Sequence, residues 1–164
     1  SRGLGDVYKR QNVIRSVKRP VKEIDYGYVG DVKHVDAEVL VSLISRGVVP
    51  VMAPLTHDGE GNMLNTNADT IAGETAKALA EAFDVTLIYC FEKKGVLRDA
   101  EDEDSVIPVI TPDLFKKYVD EGVIQGGMIP KLENSFSAVE AGVSQVVITL
   151  ASAIDGKSGT IIKK

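Results

Sequence analysis

Three stretches of the chain carry residue types at spacings suited to chemistry. Asn65-Thr66-Asn67-Ala68-Asp69 puts two amides and a carboxylate into five positions. An amide side chain donates and accepts. Asn65 and Asn67 can therefore meet both the carboxylate and the N–H of an acylated amino acid, while Asp69 can hold a lysine. The same types also cap helices, although one cap needs fewer than three of them. Gln125-Gly126-Gly127-Met128-Ile129-Pro130-Lys131 sets two glycines before a helix opened by Pro130. Glycine lets a backbone approach a ligand, and a helix N-terminus favours anions. Lys131 in that first turn has the wrong charge for the helix dipole, which points to an anion beside it. A solvated lysine after an ordinary glycine turn is the plain alternative. The Gly-Lys-Ser/Thr ending of a Walker A loop is missing.

The third stretch, Phe91-Glu92-Lys93-Lys94-Gly95-Val96-Leu97, follows an apolar run. Ligands of open α/β sheets bind beyond the carboxyl ends of strands. There Lys93 and Lys94 either meet phosphates in a nucleotide pocket or stand in an exposed basic turn. His34 and His57 have no carboxylate or cysteine at ligand spacing, so no metal site is expected. Cys90, inside a buried strand pattern, is expected to be an inert core thiol. Tyr26 and Tyr28 are expected to pack in a hairpin. Asp99 to Asp104 reads as a solvated acidic loop.

The elements that position these residues follow from periodicity. Val48–Ala53, Val85–Phe91 and Val146–Leu150 are continuous apolar runs, the pattern of strands covered on both faces. Helical stripes are formed by Val35, Val39, Leu40, Leu43 and Ile44 before Gly47, and by Ile71, Thr75, Ala76, Leu79 and Phe83. Leu114, Phe115, Tyr118 and Val119 follow the cap and proline of Thr111-Pro112. Leu132, Phe136 and Val139 end near Gly142. Alternating strands and helices predict βαβ units. Looser alternation over Asn12–Val17 and Val21–Tyr28 predicts an antiparallel hairpin. A second hairpin is expected over His57–Asn65, turning at Asp58-Gly59-Glu60-Gly61. The 164 residues make one domain by length, with 44% hydrophobic and 26% charged residues. A net charge of −5 argues against binding nucleic acid through bulk basic charge. One cysteine excludes a disulfide framework, and no apolar run is long enough to span a bilayer. A soluble cytoplasmic α/β domain is expected, with no membrane partner.

Asp25-Tyr26-Gly27-Tyr28-Val29-Gly30-Asp31, Asn65 to Asp69, Lys94-Gly95-Val96-Leu97 and Gly126 to Lys131, in this order, resemble the acetylglutamate kinase family of the amino-acid kinase superfamily. The pairing of Asn-x-Asn-Ala-Asp with Gly-Gly-Met-x-x-Lys is specific where either alone is weak. The resemblance runs from about Asn12 onward. It implies an incomplete amino-acid kinase fold, a three-layer αβα sandwich with a mainly parallel sheet plus β-hairpins. It also implies that ATP, with Mg²⁺ bridging its oxygens, phosphorylates the γ-carboxylate of an N-acylated glutamate in arginine biosynthesis. Lys131 would stabilise charge on the transferring phosphoryl group, Asp69 would orient catalytic lysines, and Asn65 would contact the acylglutamate. The loop Glu92, Lys93, Lys94, Gly95, Val96, Leu97 and the segment Val123, Ile124, Gln125 would line the ATP site. Where many relatives open this loop with aspartate, this chain has Glu92. The family's N-terminal half, with a catalytic lysine, a glycine-rich turn and an arginine, is expected upstream. Residues 1–11 are expected to lie outside the family sequence and residues 12–164 to form the C-terminal part of the kinase domain. The chain alone would then be incomplete for catalysis, and a homo-oligomer is expected at full length. N-succinylglutamate as substrate, a carbamate or glutamate 5-kinase, and a non-catalytic nucleotide-binding module remain alternatives.

Overall fold

The structure, a computed structural model, describes residues 13–164. The segment 1–11 set apart above lies outside the described residues. The chain divides into two compact units, Ser1–Ala82 and Phe83–Lys164.

In the first unit, β1 (Ile14–Lys18) and β2 (Gly30–Val35) form an antiparallel pair, followed by α1 (Ala37–Ile44). β3 (Leu55–His57) and β4 (Met63–Asn65) form the second hairpin, and α2 (Ala68–Leu79) follows. The sheet order is β2-β1-β3-β4, with β1 and β3 parallel. Its buried face holds Ile14, Ser16, Thr56, Leu64 and Thr66. The Thr56 and Thr66 hydroxyls share a 2.9 Å hydrogen bond, and Thr66 Oγ1 donates to the Gly30 carbonyl at 3.1 Å. The β3–β4 turn falls at the expected residues. Asp58 Oδ1 accepts from the amides of Glu60 and Asn62, and Gly59 and Gly61 take positive φ.

Two expected strands are absent. Val48–Ala53 pairs with nothing among the described residues, and Val49 and Val51 are 83% and 94% exposed. Pro50 and Pro54 interrupt the donors a ladder needs, and an apolar run becomes a buried strand only when other elements cover it. Val21–Tyr28 is loop, and the partner of β1 begins only at Gly30. Pro20 lacks an amide, the Asp25 carboxylate accepts from Gly27 N at 2.8 Å, and Gly27 adopts φ +66°. Tyr26 and Tyr28 are exposed, with Arg19 and Lys18 over their rings, and do not pack inside a hairpin. Phe83 falls beyond the end of α2.

In the second unit, β5 (Thr86–Phe91) lies parallel to β7 (Gln145–Leu150). β8 (Thr160–Ile162) is antiparallel to β7 and parallel to β6 (Val109–Ile110), giving the order β5-β7-β8-β6. Val146, Val147 and Ile148 of β7 have no exposure, as the continuous apolar run predicts for a central strand. α3 (Pro112–Asp120) packs on α4 (Met128–Glu140), which lies against β7 and β8; the Phe115 and Phe136 rings of the two helices meet at 5.5 Å. Thr111 caps α3 by accepting from Leu114 N, with Pro112 in its first turn, and Gly142 follows α4 at φ +105°. The expected α/β architecture with β-hairpins is therefore present, its parallel pairing concentrated in the second unit.

The β7–β8 connection is tightly constrained. Gly159 adopts φ +106°, and a Cβ there would lie 2.2 Å from the Ile148 carbonyl oxygen. Gly159→Ala is expected to lower the unfolding free energy by about 1–3 kcal/mol, read as a lower urea midpoint. In the same loop Asp155 accepts from Ser158 Oγ and from the amides of Ser158 and Lys157. These bonds, the Ser158 hydroxyl first, hold its carboxyl down from 3.8 to about 2. A depressed folded pKa stabilises above the unfolded value and is lost as pH falls through the folded one. Asp155→Asn is therefore expected to be less stable than the parent at pH 6, with the gap closing between pH 3.8 and pH 2. A pH-independent gap in thermal melts would contradict this.

Candidate functional site

The second unit contains a cavity of about 1140 Å³ at the carboxyl end of β5. This is the place where open α/β sheets take ligands. Its wall runs from Cys90 to Lys93, through Gly95–Ala100 and Gly122–Gln125, to Met128 and Ala151. Each segment has a local reason for its position. Gly95 brings the loop onto β8 so closely that a Cβ would lie 2.7 Å from Thr160 Oγ1. Thr160 Oγ1, fully buried, accepts from Val96 N at 2.8 Å and donates to the Ile107 carbonyl at 2.7 Å. Ile107 N donates to the Val96 carbonyl and Arg98 N to the Ser105 carbonyl, so the Asp99–Asp104 stretch is the tip of a short ribbon. At the opposite wall Gly122 takes φ +71°, and the amides of Val123 and Ile124 both donate to the Tyr118 carbonyl. That folds Val123–Gln125 back from α3 toward the start of α4.

Charge surrounds the mouth. Lys93 Nζ lies 3.4 Å from Glu103 Oε1 and Lys94 Nζ 2.6 Å from Asp104 Oδ1. The Lys94 ammonium, by hydrogen bond and then by charge, holds the Asp104 carboxyl below its ordinary range. Arg98 Nη2 donates to the Tyr118 hydroxyl at 3.0 Å, with its guanidinium over that ring. At the start of α4, Gly127 supplies no side-chain cap and Pro130 has no amide. The amides of Met128 and Ile129 donate to the Gln125 and Gly126 carbonyls, whereas those of Gly126 and Gly127 take part in no hydrogen bond among the described residues. Lys131, in the same turn, carries its Nζ 3.3 Å from the Phe91 ring centroid.

Residues 6–150 match the model of the amino acid kinase family. The chain belongs to that family. It is similar to the acetylglutamate kinase of Phocaeicola vulgatus, 78% identical over 153 residues covering 93% of this chain and 60% of that protein. Against the acetylglutamate kinase of Bacteroides thetaiotaomicron it is 76% identical over 98% of this chain and 63% of that protein. It thus spans about three-fifths of the length of these curated relatives. Among solved structures, an N-acetylglutamate synthase from Neisseria gonorrhoeae, complexed with coenzyme A and N-acetyl-glutamate, superposes with TM-score 0.80. That match has 20% identity and covers 93% of this chain and 37% of the other. It shows a shared fold.

In this amino acid kinase chain the expected residues divide in two. Glu92, Lys93, Gly95, Val96, Leu97, Val123, Ile124 and Gln125 line one cavity. Lys94, paired with Asp104, does not, and neither does Lys131, which reaches the lining residue Phe91. Asn65, Asn67 and Asp69 lie in the first unit, where β4 gives way to α2. Asn67 is the cap, its Oδ1 accepting from Thr70 N at 3.1 Å. Asn65 is exposed at the end of β4, opposite Leu55, and its backbone N–H donates to the Tyr28 carbonyl at 2.8 Å. Asp69 stands in the first turn of α2. The expectation for Cys90 is corrected, since the thiol is exposed and lines the cavity. Leu87 and Tyr89 face the core, so strand alternation turns Cys90 away from it. His57 serves its turn, with Nδ1 accepting from Gly59 N at 2.9 Å.

Sequence reasoning missed Phe91 as a partner of Lys131, gave Met128 no role of its own within its motif, and missed Arg98 and Thr160 altogether. The aromatic at the end of an apolar run was a usable signal for Phe91. Thr160 lies 64 positions from Val96 and carried none. Thr160→Val leaves a buried amide and carbonyl unpaired and is expected to cost about 1–3 kcal/mol in urea unfolding. It should also loosen the Val96 wall, seen as faster amide exchange at Val96.

Proposed function

We propose that this chain is the nucleotide-binding part of an enzyme that phosphorylates the γ-carboxylate of N-acetyl-L-glutamate with ATP. The products are N-acetylglutamyl 5-phosphate and ADP, on the route to arginine. The observation that carries the proposal is that one unit holds a cavity large enough for a nucleotide, with Lys131 on the Phe91 ring that lines it and two glycine amides that take part in no hydrogen bond among the described residues. The 76–78% identity to acetylglutamate kinases supports the choice of substrate.

Val96, Leu97, Val123, Ile124 and Met128 offer the apolar walls a purine needs, with Lys93, Arg98 and Gln125 as polar neighbours. Phosphoryl transfer demands positioning and charge neutralisation more than covalent help. Lys131 and the amides of Gly126 and Gly127 supply both at the transferring group. Asn65 contacts the acylglutamate, and Asp69 orients the catalytic lysines. The nucleophile needs no base, because a carboxylate is ionised near neutral pH. Mg²⁺, when bound with the triphosphate, would supply further charge neutralisation. Glu92 and Asp99, both on the cavity wall, are oxygen donors of the type that reaches its water shell. In the cell we place the full-length protein in the cytoplasm as a homo-oligomer. No helix of the described residues is long and apolar enough to cross a membrane.

Lys131→Ala is expected to lower kcat by roughly 10²-fold or more, measured by coupled ADP release. An unchanged kcat would remove Lys131 from the mechanism. The same assay over N-acetyl-L-glutamate, N-succinyl-L-glutamate, glutamate and carbamate identifies the acceptor. Preference for either of the last two would overturn the acylglutamate reading. Calorimetric binding of ATP without turnover on any acceptor would mark a binding module.

A further inference from the structure

The cations at the mouth of the cavity differ in what they meet. Lys93 and Lys94 are each paired with a carboxylate of the acidic ribbon. Arg98 is not, although five of the six residues that follow it are acidic. Asp99 Oδ1 accepts from Glu101 N and Asp102 Oδ1 from Asp104 N, each at 3.0 Å, while Glu103 and Asp104 are the partners of the two lysines. Among the described residues no carboxylate lies within ion-pair distance of the Arg98 guanidinium. Its Nη2 donates instead to the Tyr118 hydroxyl at 3.0 Å, and its Cζ lies 5.3 Å from the centroid of that ring. Both ends of this contact are fixed. Arg98 N donates to the Ser105 carbonyl at 2.9 Å, and Leu97 bridges to Val106. Tyr118 is 6% exposed, and its carbonyl accepts from the amides of Val123 and Ile124. The arginine therefore links the ribbon to α3, and it lines the cavity between them.

We propose that Arg98 binds phosphate oxygens of the ligand in this cavity, with Tyr118 as the positioning residue that aims its guanidinium. A guanidinium carries five N–H donors in a planar fork that matches phosphate oxygens. The Tyr118 hydroxyl takes one of these donors and none of the charge. The others meet no acceptor among the described residues. A carboxylate in the place of that hydroxyl would neutralise the group before an anion arrived. The ring and hydroxyl also restrict a long side chain that otherwise samples many rotamers, so less freedom is lost on binding. The neighbouring acids are turned to backbone amides and to the two lysines, which leaves the arginine as the cation of this wall without an anionic partner. That the anion belongs to a nucleotide rests on the reading above, while the anion site itself does not.

The test titrates the full chain with ATP, inorganic tripolyphosphate and adenosine. In nitrogen-15 NMR the Arg98 Nε–H resonance is expected to move with ATP and with tripolyphosphate and to stay in place with adenosine. By calorimetry Arg98→Gln is expected to weaken ATP roughly 5- to 20-fold and to leave adenosine unchanged. Tyr118→Phe, which keeps the ring, is expected to weaken ATP roughly two- to threefold and to add nothing in the Arg98→Gln background. A merely structural tyrosine would lower adenosine affinity as well, and its loss would persist in that background; either result overturns the positioning role. Parent-like ATP affinity in Arg98→Gln overturns the proposal, as does an equal loss for adenosine, which would put the guanidinium on the base or ribose. ATP that shifts the Val96 and Ile124 amides with the Arg98 Nε–H unmoved overturns it too and keeps the nucleotide reading. Tripolyphosphate that moves Arg98 where ATP moves nothing discards the nucleotide reading and supports the anion site. An Arg98 resonance that neither anion moves overturns that site.

Discussion

A lysine at the positive end of a helix is out of place electrostatically, and the second unit is arranged around that conflict. Lys131 cannot move far, because Leu132 beside it is fully buried and fixes the phase of α4. The helix therefore must present the ammonium near the carboxyl end of β5. The aromatic ring at that strand end and the adjoining glycine amides make a region where positive charge and hydrogen-bond donors are concentrated beside a cavity.

The cost of this arrangement is met by burial elsewhere. β7 sits between β5 and β8 with four consecutive residues, Val146 to Thr149, fully enclosed. That strand sets the register of β5, and with it the position of Phe91. Thr160 on β8 does the equivalent for the opposite wall by linking Val96 to Ile107. The site's precision is thus borrowed from the sheet, while its variable parts lie in loops beyond the strand ends.

The acidic ribbon shows how neighbouring charge can redirect a residue. Lys93 and Lys94 are adjacent in sequence and look equivalent as phosphate ligands. Both meet carboxylates of the ribbon tip, yet only Lys93 contributes to the cavity wall. These pairs are exposed, and surface pairs are individually weak. They choose among side-chain orientations without anchoring the fold.

Sequence alone determined the features that depend on neighbours within about ten residues. The caps Asn67 and Thr111, the stop at Gly142, the turn at Asp58–Gly61 and the two strands β5 and β7 all follow from side-chain chemistry and periodicity along the chain. The Asn65–Asp69 and Gly126–Lys131 motifs were legible for the same reason, as unusual concentrations of donors at helix starts. Only the tertiary structure decided what each apolar run would meet. Val48–Ala53 is an apolar run with no strand partner among the described residues, whereas the comparably apolar Val146–Leu150 is enclosed. It also decided that Cys90 faces the cavity, that Lys94 turns to Asp104, and that Phe91 lies beneath Lys131, 40 positions away. Composition states a residue's capacity for burial or pairing; which partner arrives is set by sheet register and crossover connections, which no local window contains.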